Sequence, residues 1–217
     1  MKKLIDLSHT VEEGMVTYKG LPAPLLCDFL TREASKAYYA EGTTFHIGKI
    51  EMVGNTGTYL DSPFHRYANG KDLSELSLDV LAELDALTFR SEQTNIGREL
   101  FEGAPISGKA ILINTGWAKH WRTDQYFEGH PHLTAEAATY LKENGATLVG
   151  IDSYNIDSTD TGERPAHSIL LGADIPIVEH MRNLEMLPSD GFKFNAVPVK
   201  VKKFGTFPVR AYAVIEV

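Results

Sequence analysis

The sequence predicts a single mixed α/β domain over residues 1–217, with a mixed sheet at its centre. Apolar runs of strand length outnumber the helical patterns, but helical patterns lie between these runs in the middle of the chain. Such alternation is typical of α/β folds. The length suits one hydrophobic core, and the sequence contains no repeat or low-complexity linker that would mark a domain boundary.

Six apolar runs bounded by turn residues predict strands, since they are rich in β-branched and other apolar residues. They are Thr43–Val53, Ala110–Asn114, Thr147–Ile151, Ile175–Val178, Ala196–Val201 and Ala211–Val217. The first of these runs contains a glycine, which indicates a bend in the strand.

Two segments predict helices between the strands. Leu133–Asn144 starts with Thr134 as its N-cap and ends before Gly145, with alanine and leucine side chains along one face. Ser77–Leu84 starts with a serine cap and has apolar residues at helical spacing. Asp174–Asn183 combines a short strand with the start of a helix.

Composition excludes several partners and compartments. The formal net charge of −8 argues against a nucleic-acid partner, because the phosphate backbone favours clustered lysine and arginine. No apolar run approaches the ~20 residues that span a bilayer, and the first residues do not form a secretory signal. Cys27 is the only cysteine, which is typical of a reducing compartment, and its apolar neighbours predict a buried position. We therefore expect a soluble cytoplasmic protein without nucleic-acid or membrane partners.

Common cofactor and nucleophile motifs are missing from the sequence. The segment Gly54–Gly57 lacks the third glycine and the following helix of a dinucleotide-binding loop. There is also no G-x-S-x-G nucleophile motif. The sequence therefore argues against a dinucleotide enzyme, a P-loop enzyme and a serine hydrolase.

The stretch GNTGTYLDSPFHR, residues 54–66, is the first candidate site. Pro63 stiffens the backbone between Asp61 and His65. A carboxylate near an imidazole can orient it as a general base, and it can equally bind a metal ion beside it. The alternative is that Asp61 caps a turn and His65 lies on the surface.

Two further segments concentrate polar residues. His167 follows Arg164-Pro165-Ala166, and Glu179 directly follows the predicted strand Ile175–Val178, where catalytic groups of α/β folds often lie. The alternative for these two residues is a structural pair. The segment 151–157 carries Asp152 and Asp157, which we interpret as loop residues that cap backbone groups rather than as ligands of a hard cation.

These motifs together resemble the cyclase / kynurenine formamidase family of hydrolases over essentially the whole chain. The start DLSHTVEEGMVTYKGLP resembles the family pattern D-L-S-H…P-x-Y-x-G, and NTGTYLDSPFH resembles the signature H-T-G-T-H-x-D-x-P-x-H. The later runs LINTGW, PAHSILLGADIPIVEHMRNLEMLP and GFKFNAVPVKV follow in the family's order.

The resemblance implies a swivelling β/β/α fold that forms a homodimer or homotetramer. It also implies hydrolysis of an amide or ester bond with a bound divalent metal ion, commonly zinc or manganese. The implied substrates are small carbonyl compounds such as aryl formamides, cyclic imide-like rings and lactones.

By the resemblance, Asp61 corresponds to the family's metal-binding aspartate and His65 to its catalytic histidine. His167 and Glu179 correspond to residues that bind a second metal ion in dinuclear members. The two signature histidines that hold the first metal are replaced here.

The replacements are Asn55 and Tyr59. A neutral amide is a weak oxygen donor, and a phenol with a pKa near 10 rarely binds zinc. The first metal site therefore loses both of its imidazoles.

Three hypotheses follow from this altered signature. In the first, one metal ion binds Asp61, His167 and Glu179, and His65 moves protons. In the second, no metal binds, and a His/Asp/Glu/Tyr proton network performs hydrolysis, dehydration or isomerisation, with Tyr59 as a hydrogen-bond donor to the carbonyl. In the third, the chain binds a small molecule without catalysis. We predict an enzyme with one metal ion, and a metal-free enzyme is the main alternative.

Aromatic residues near these motifs predict the substrate pocket. Tyr18, Phe64 and Trp117, together with Asn55 and Tyr59, would line a pocket for a flat ring.

Overall fold

The computed structural model describes residues 1–216, and its main feature is a large mixed sheet. In chain order the strands are β1 Lys2–Asp6, β2 Leu25–Leu30, β3 Ile47–Glu51, β4 Tyr59–Asp61, β5 Leu84–Arg90, β6 Asn95–Ile96, β7 Ala110–Asn114, β8 His132–Leu133, β9 Leu148–Ile151, β10 Ile177–Glu179, β11 Phe192–Asn195, β12 Thr206–Pro208 and β13 Tyr212–Glu216. The α-helices are α1 Arg32–Ser35, α2 Ala135–Glu143 and α3 Pro165–Leu171. Single turns of 3₁₀ helix lie at Pro63–His65, Leu78–Val80, Arg98–Leu100, Trp117–His120, Asp124–Phe127 and Leu184–Met186.

Nine strands form the large sheet, in the order β1-β13-β11-β5-β7-β9-β10-β4-β12. The central strands β5, β7, β9 and β10 are parallel, and the strands on either side of them pair antiparallel. Two further pairs, β2–β3 and β6–β8, form separate small sheets. The predicted fold class, α/β with a mixed sheet, is confirmed.

The central strands separate two hydrophobic cores. Side chains alternate between the two faces of a strand, so Ile111 and Ile113 pack with the residues of α2 and α3, whereas Leu112 packs with those of β11 and β13. The core on one face of the sheet is thus completed by helices α2 and α3. The core on the other face includes side chains of the antiparallel strands β11 and β13.

Most strand predictions agree with the structure. The prediction for β7 is confirmed to the residue, and those for β3, β9, β10 and β13 are confirmed with shifted ends. The last predicted residue, Val217, lies outside the described residues. The strand predicted at Ala196–Val201 is wrong: the strand ends at Asn195, because Pro198 interrupts the following run and cannot donate to a ladder. Cys27 is exposed on β2, so the prediction of a buried position is wrong as well.

The helix predictions are partly confirmed. Helix α2 has Thr134 as its N-cap, with the side-chain oxygen accepting from the Ala137 amide, and Gly145 follows with a φ of +75°. The helix predicted at Ser77–Leu84 is wrong, since only the 3₁₀ turn Leu78–Val80 forms. The backbone then turns at Glu83, with a positive φ of 54°, to enter β5.

Candidate active site

The register of the sheet brings four polar side chains together around strand β4. Tyr59 lies directly opposite Glu179 of β10, and Asp61 lies directly opposite Thr206 of β12. Directly opposed residues share one face of a sheet, and residues two apart along a strand do the same. All four side chains therefore project from the same face, which is the face that α3 covers.

Helix α3 supplies His167, and Asp157 positions it. One Asp157 oxygen accepts from the Ala166 amide at 2.6 Å, and the other accepts from the His167 amide at 3.0 Å and from its ring Nδ1 at 2.7 Å. Pro165 occupies the first helical turn, where its missing N–H is not needed. Because Nδ1 carries the proton donated to Asp157, the other ring nitrogen, Nε2, is the one that faces the site.

His167 Nε2 lies between two buried carboxylates. It is 3.7 Å from Asp61 Oδ2 and 3.7 Å from Glu179 Oε1, beyond the range of a strong hydrogen bond. Oδ2 of Asp61 is buried and has no hydrogen-bond partner among the described residues. A buried carboxylate oxygen without a partner is costly. Positive charge within this cluster, on the imidazole or on a bound ion, would offset that cost.

The charges of the cluster shift the pKa values of its members. Burial disfavours the charged imidazolium of His167, but the carboxylates of Glu179, Asp157 and Asp61 raise its pKa to about 10. Burial raises the pKa of Glu179 to about 7 against the attraction of His167, and the neighbouring Asp61 adds to the rise. Burial also opposes ionisation of Asp61, yet His65, His167 and Thr206 hold its pKa below the usual value. The carboxylates thus attract positive charge to the position of His167 Nε2.

Thr206 links Asp61 to His65 and fixes the tautomer of the imidazole. The Thr206 hydroxyl donates to Asp61 Oδ1 and lies 2.8 Å from His65 Nδ1. A hydroxyl has only one proton, and an ionised carboxylate can only accept. His65 Nδ1 must therefore donate to Thr206, which leaves the lone pair of Nε2 as the basic position of a partly exposed ring.

A buried chain of hydrogen bonds ends at Glu179. Tyr59 donates its phenolic proton to Glu179 Oε2 at 2.7 Å, and His180 Nε2 lies 3.2 Å from the same hydroxyl. Tyr126 in turn lies 2.9 Å from His180 Nδ1. With Glu179 ionised, the donors run in one direction, from Tyr126 to His180 to Tyr59 and on to the carboxylate.

The members of this chain stay neutral at ordinary pH. Burial, followed by repulsion from His9, lowers the pKa of His180 to about 3. Burial, Glu179 and Asp61 raise the pKa of Tyr59 well above 10. Tyr59 is therefore a phenol that donates, and not a phenolate that binds a cation.

A cavity of about 690 Å³ opens over these groups. Its lining includes six residues predicted from the sequence: Tyr18, Asn55, Tyr59, His65, His167 and Glu179. Asp61 is fully buried below it. Arg66, Arg164 and Glu163 add charge to the lining.

Two residues predicted to line the pocket lie elsewhere. Phe64 is half-buried within a 3₁₀ turn, and its amide donates to Lys71. Trp117 donates from Nε1 to the Tyr126 carbonyl at 3.0 Å. Neither is among the described residues that line the cavity, because Trp117 is held by its hydrogen bond to Tyr126 and Phe64 lies in the turn that begins at Pro63.

The cluster of possible metal ligands in the structure contains His65 in place of the predicted Glu179. Ligand atoms of Asp61, His65 and His167 all lie within 4.8 Å of one another, so His65, predicted for proton transfer, is also close enough to be a ligand. The third predicted ligand, Glu179, is within 3.7 Å of His167.

Sequence reasoning missed three residues of the site. It interpreted Asp157 as a loop residue, and it gave no role to Thr206 or His180. Asp157 acts across a loop, and Thr206 acts across the β4–β12 pairing. For His180 the sequence contains one signal, which is its position directly after the candidate residue Glu179.

Fold and site together define an α/β protein with a carboxylate–imidazole centre beneath an open cavity. The chain belongs to the family described as "Putative cyclase", whose model matches residues 5–158. This confirms the resemblance seen in the motifs.

Relatives extend the match to nearly the full chain. Kynurenine formamidase of Bacillus anthracis is 28% identical over 210 residues, which is 96% of either chain. The enzyme of Bacillus thuringiensis subsp. konkukian is 30% identical over 208 residues, 95% of either chain. These relatives confirm the predicted membership of the arylformamidase-like hydrolases.

Solved structures share the fold. A potential metal-dependent hydrolase with cyclase activity matches with a TM-score of 0.82 at 22% identity and full coverage of both chains. Isatin hydrolase A of Labrenzia aggregata matches with a TM-score of 0.82 at 21% identity, over 99% of this chain and 94% of the other.

Proposed function

We propose that this protein hydrolyses a small amide, cyclic imide or lactone, with one divalent metal ion held by Asp61, His167 and Glu179. The observation that carries the proposal is the buried Oδ2 of Asp61, which has no hydrogen-bond partner among residues 1–216 and lies 3.7 Å from His167 Nε2. The kynurenine formamidase and isatin hydrolase relatives support the choice of a non-peptide C–N bond.

The separations around His167 suit a single ion such as zinc or manganese. Ligands at about 2.0–2.2 Å from a tetrahedral ion lie roughly 3.3–3.6 Å from one another. The two separations of 3.7 Å around His167 Nε2 are close to this value. Among the described residues, the group whose ligand atoms all lie within 4.8 Å of one another is Asp61, His65 and His167, so Glu179 would have to move toward Asp61 to join it. Asp157 accepts a hydrogen bond from Nδ1 of His167. A carboxylate in this position is a usual partner of a metal-binding imidazole. Bound there, the ion would act as a Lewis acid and lower the pKa of a water molecule.

His65 is suited to move protons in this site. Its Nδ1 is committed to Thr206, and its Nε2 is left as the basic atom of a ring that lines the cavity. A general base of this kind takes a proton from water and returns it to the leaving nitrogen or oxygen. Thr206 and Asp61 hold the ring in place through both steps.

Tyr59 and Asn55 fill the space that the family's signature histidines would occupy. The phenol is bonded to Glu179, and Asn55 lines the same cavity. They therefore leave one set of ligands, centred on His167, rather than two.

The cavity supports a small, flat substrate. Its volume of about 690 Å³ is within the usual range for small-molecule sites. Tyr18 lines it and stacks on Tyr154, with ring centroids 4.8 Å apart. The stacked pair offers one aromatic wall to a ring-containing carbonyl compound.

One observation favours the metal-free alternative. Tyr59, His180 and Glu179 already form a continuous hydrogen-bond chain, and His167 is a protonated donor beside two carboxylates. Such a network can transfer protons without a metal ion. It would serve hydrolysis of an activated ring, dehydration or isomerisation.

Metal content and turnover together test the proposal. Protein purified without chelator should hold about one metal equivalent per chain, and Glu179→Ala should remove it. Glu163→Ala is the matched control, since Glu163 is an exposed acid on the cavity wall. Aryl formamides, isatin and lactones should include a substrate whose turnover stops after chelation.

The outcomes separate the hypotheses. Turnover that survives chelation in protein free of metal would favour the proton network. A protein that neither binds metal nor turns over any member of the panel would overturn both, and ligand-induced stabilisation alone would indicate a binding protein.

The proposal also covers the cellular location and the oligomeric state of the protein. No helix within residues 1–216 has the length and apolar character needed to cross a membrane. We propose a cytoplasmic enzyme that forms a homodimer or homotetramer, as the family resemblance implies. Separating a cell extract into soluble and membrane fractions would test the location.

A further inference from the structure

Two arginine side chains line the cavity over the candidate active site without an acidic partner. They are Arg66 and Arg164. Neither forms an ion pair with an acid of residues 1–216. A guanidinium group is not deprotonated in proteins, so both positive charges are permanent. The cavity of a chain with a net charge of −8 therefore presents two cations to a molecule that enters it.

The guanidinium of Arg66 is held in place from two sides. Its Nε donates to Ser168 Oγ at 3.2 Å, and its central carbon lies 5.2 Å from the centroid of the Tyr67 ring. The Tyr67 hydroxyl in turn donates to the Ser168 carbonyl at 2.8 Å. Within residues 1–216, the two outer nitrogens of Arg66 make no hydrogen bond. They form a fork that matches the two oxygens of a carboxylate.

Arg164 lies on the same turn of α3 that holds Arg66. Its carbonyl accepts from the amide of Ser168, the residue whose hydroxyl binds Arg66. Its Nη1 donates to three carbonyls of the loop 158–163, at 2.6, 2.8 and 3.1 Å. In the described part of the chain, its Nε and Nη2 have no partner. Arg164 therefore fixes this loop with one nitrogen and keeps two donors for a ligand.

Charge is divided between the two ends of the cavity. The carboxylates of Asp61 and Glu179 lie at the buried end, whereas Arg66 is exposed and Arg164 is half-buried. The buried carboxylates repel an anionic group, and the two guanidinium groups attract it. Glu163, an exposed acid of the lining, offsets only part of that attraction. The charges thus favour a ligand whose anionic group points outward and whose uncharged end points inward.

We propose that Arg66 and Arg164 bind a carboxylate of the substrate, so that this protein prefers amides, imides or lactones that carry a second, anionic group. The identity of the hydrolysed bond rests on the proposed function, but binding of the anion does not require turnover. Hydrogen bonds between arginine and carboxylate are charge-assisted and often bidentate. Arg66 directly follows His65 in the chain, so the group that selects the substrate adjoins the group that moves protons.

Binding of two matched probes tests the proposal without turnover. The probes are 4-aminobenzoate and 4-aminobenzamide, which have the same shape and differ in the charge of one group. Calorimetry with the wild-type protein should give an affinity for 4-aminobenzoate about tenfold higher or more. In Arg66→Gln, the affinity for 4-aminobenzoate should fall by about 10–100-fold, and that for 4-aminobenzamide should stay the same.

Three further variants serve as comparisons. Arg66→Lys keeps the charge without the fork and should bind 4-aminobenzoate with intermediate affinity. Arg164→Gln should lower the ratio of the two affinities. Loosening of the loop 158–163 would affect both probes alike and cancel in that ratio. Arg210→Gln removes one positive charge outside the cavity, from a residue paired with Asp6, and should bind both probes like the wild type.

The binding outcomes decide the proposal. Equal wild-type affinity for the two probes would overturn it. Unchanged affinity for 4-aminobenzoate in Arg66→Gln would also overturn it, because the anion would then bind another group, such as a metal ion. An equal loss in Arg210→Gln would attribute the preference to net charge and overturn it as well.

Hydrolysis of the corresponding formamides separates this inference from the proposed function. The wild type should hydrolyse 4-formamidobenzoate with a kcat/KM about tenfold above that for 4-formamidobenzamide or more. Arg66→Gln should abolish this preference, mainly through a higher KM. Failure to hydrolyse either compound, with the preference for 4-aminobenzoate intact in binding, would count against the proposed function and still support the anion site.

Discussion

The phenol of Tyr59 is hydrogen-bonded to the carboxylate of Glu179 across two neighbouring strands, at 2.7 Å. The pairing of β4 with β10 sets these residues directly opposite one another. The residue that stands where the family resemblance implies a signature histidine thus binds the acid that we propose as a metal ligand. Tyr59 therefore fixes Oε2 of Glu179, while Oε1 accepts from the Ile156 amide at 2.6 Å and lies 3.7 Å from His167 Nε2.

The first prediction concerns Tyr59→Phe, which removes only this hydroxyl. Buried Oε2 of Glu179 and Nε2 of His180 would both lose a partner, so the free energy of unfolding should fall by ~1–3 kcal/mol. Loss of a group that orients a ligand should lower kcat/KM by about 10–100-fold. Urea unfolding and steady-state kinetics would measure the two effects.

Tyr140→Phe is the control for that prediction. Tyr140 lies on α2, and its hydroxyl makes no hydrogen bond to a described residue. Its removal should change neither quantity. Wild-type stability and activity in Tyr59→Phe would contradict the role given to the Tyr59–Glu179 bond.

The second prediction separates proton transfer from metal binding at His65. His65→Ala should lower kcat by roughly 10²–10⁴-fold, the usual contribution of a general base, while metal content stays the same. Thr206→Val should cause a smaller loss, because it frees the imidazole without removing it. Kinetics and elemental analysis of the same preparations would test this. Metal loss in His65→Ala would instead identify His65 as a ligand, which its proximity to Asp61 and His167 allows.

The third prediction concerns the two histidines that the family resemblance implies at positions 55 and 59. In Asn55→His/Tyr59→His, two imidazoles return beside Asp61, and the metal content should rise from about one to about two equivalents per chain. Asn55→His alone supplies one imidazole and should stay near one equivalent. A double variant that also stays at one equivalent would show that other residues exclude the second ion.

The fourth prediction concerns acid stability and His9. Burial, followed by the charge of Arg182, lowers the pKa of His9 from 6.5 to about 4. The folded state therefore favours neutral His9, so its contribution is fully present above pH 6.5 and is lost as the pH falls toward 4. Relative to His9→Phe, which keeps a ring against Trp121, the wild type should lose about 2–3 kcal/mol more between pH 7.5 and 4.5.

Urea unfolding of both proteins at the two pH values would measure the difference. Other titrating groups change both proteins alike and cancel in the comparison. Equal losses in wild type and variant would mean that His9 accepts a proton in the folded state without strain.

Sequence patterns predicted much of the local structure. Helix α2 carries its own cap, apolar face and terminating glycine, and β7 is an uninterrupted apolar run, so both were predictable from neighbouring residues. Helix α3 was missed because its cap, Asp157, lies beyond a loop and not next to its first turn. The residues next to a helix's first turn cannot reveal a capping side chain that lies across a loop.

The sequence by itself determined the fold class, the family and the identities of Asp61, His65, His167 and Glu179 as candidate site residues, because short motifs and apolar periodicity are local properties. Tertiary structure alone decided how those residues meet. Strand register set Tyr59 against Glu179 and Asp61 against Thr206, and the packing of α3 brought His167 between two carboxylates. Register and packing depend on contacts between residues far apart in the chain, and no single segment of the sequence contains them.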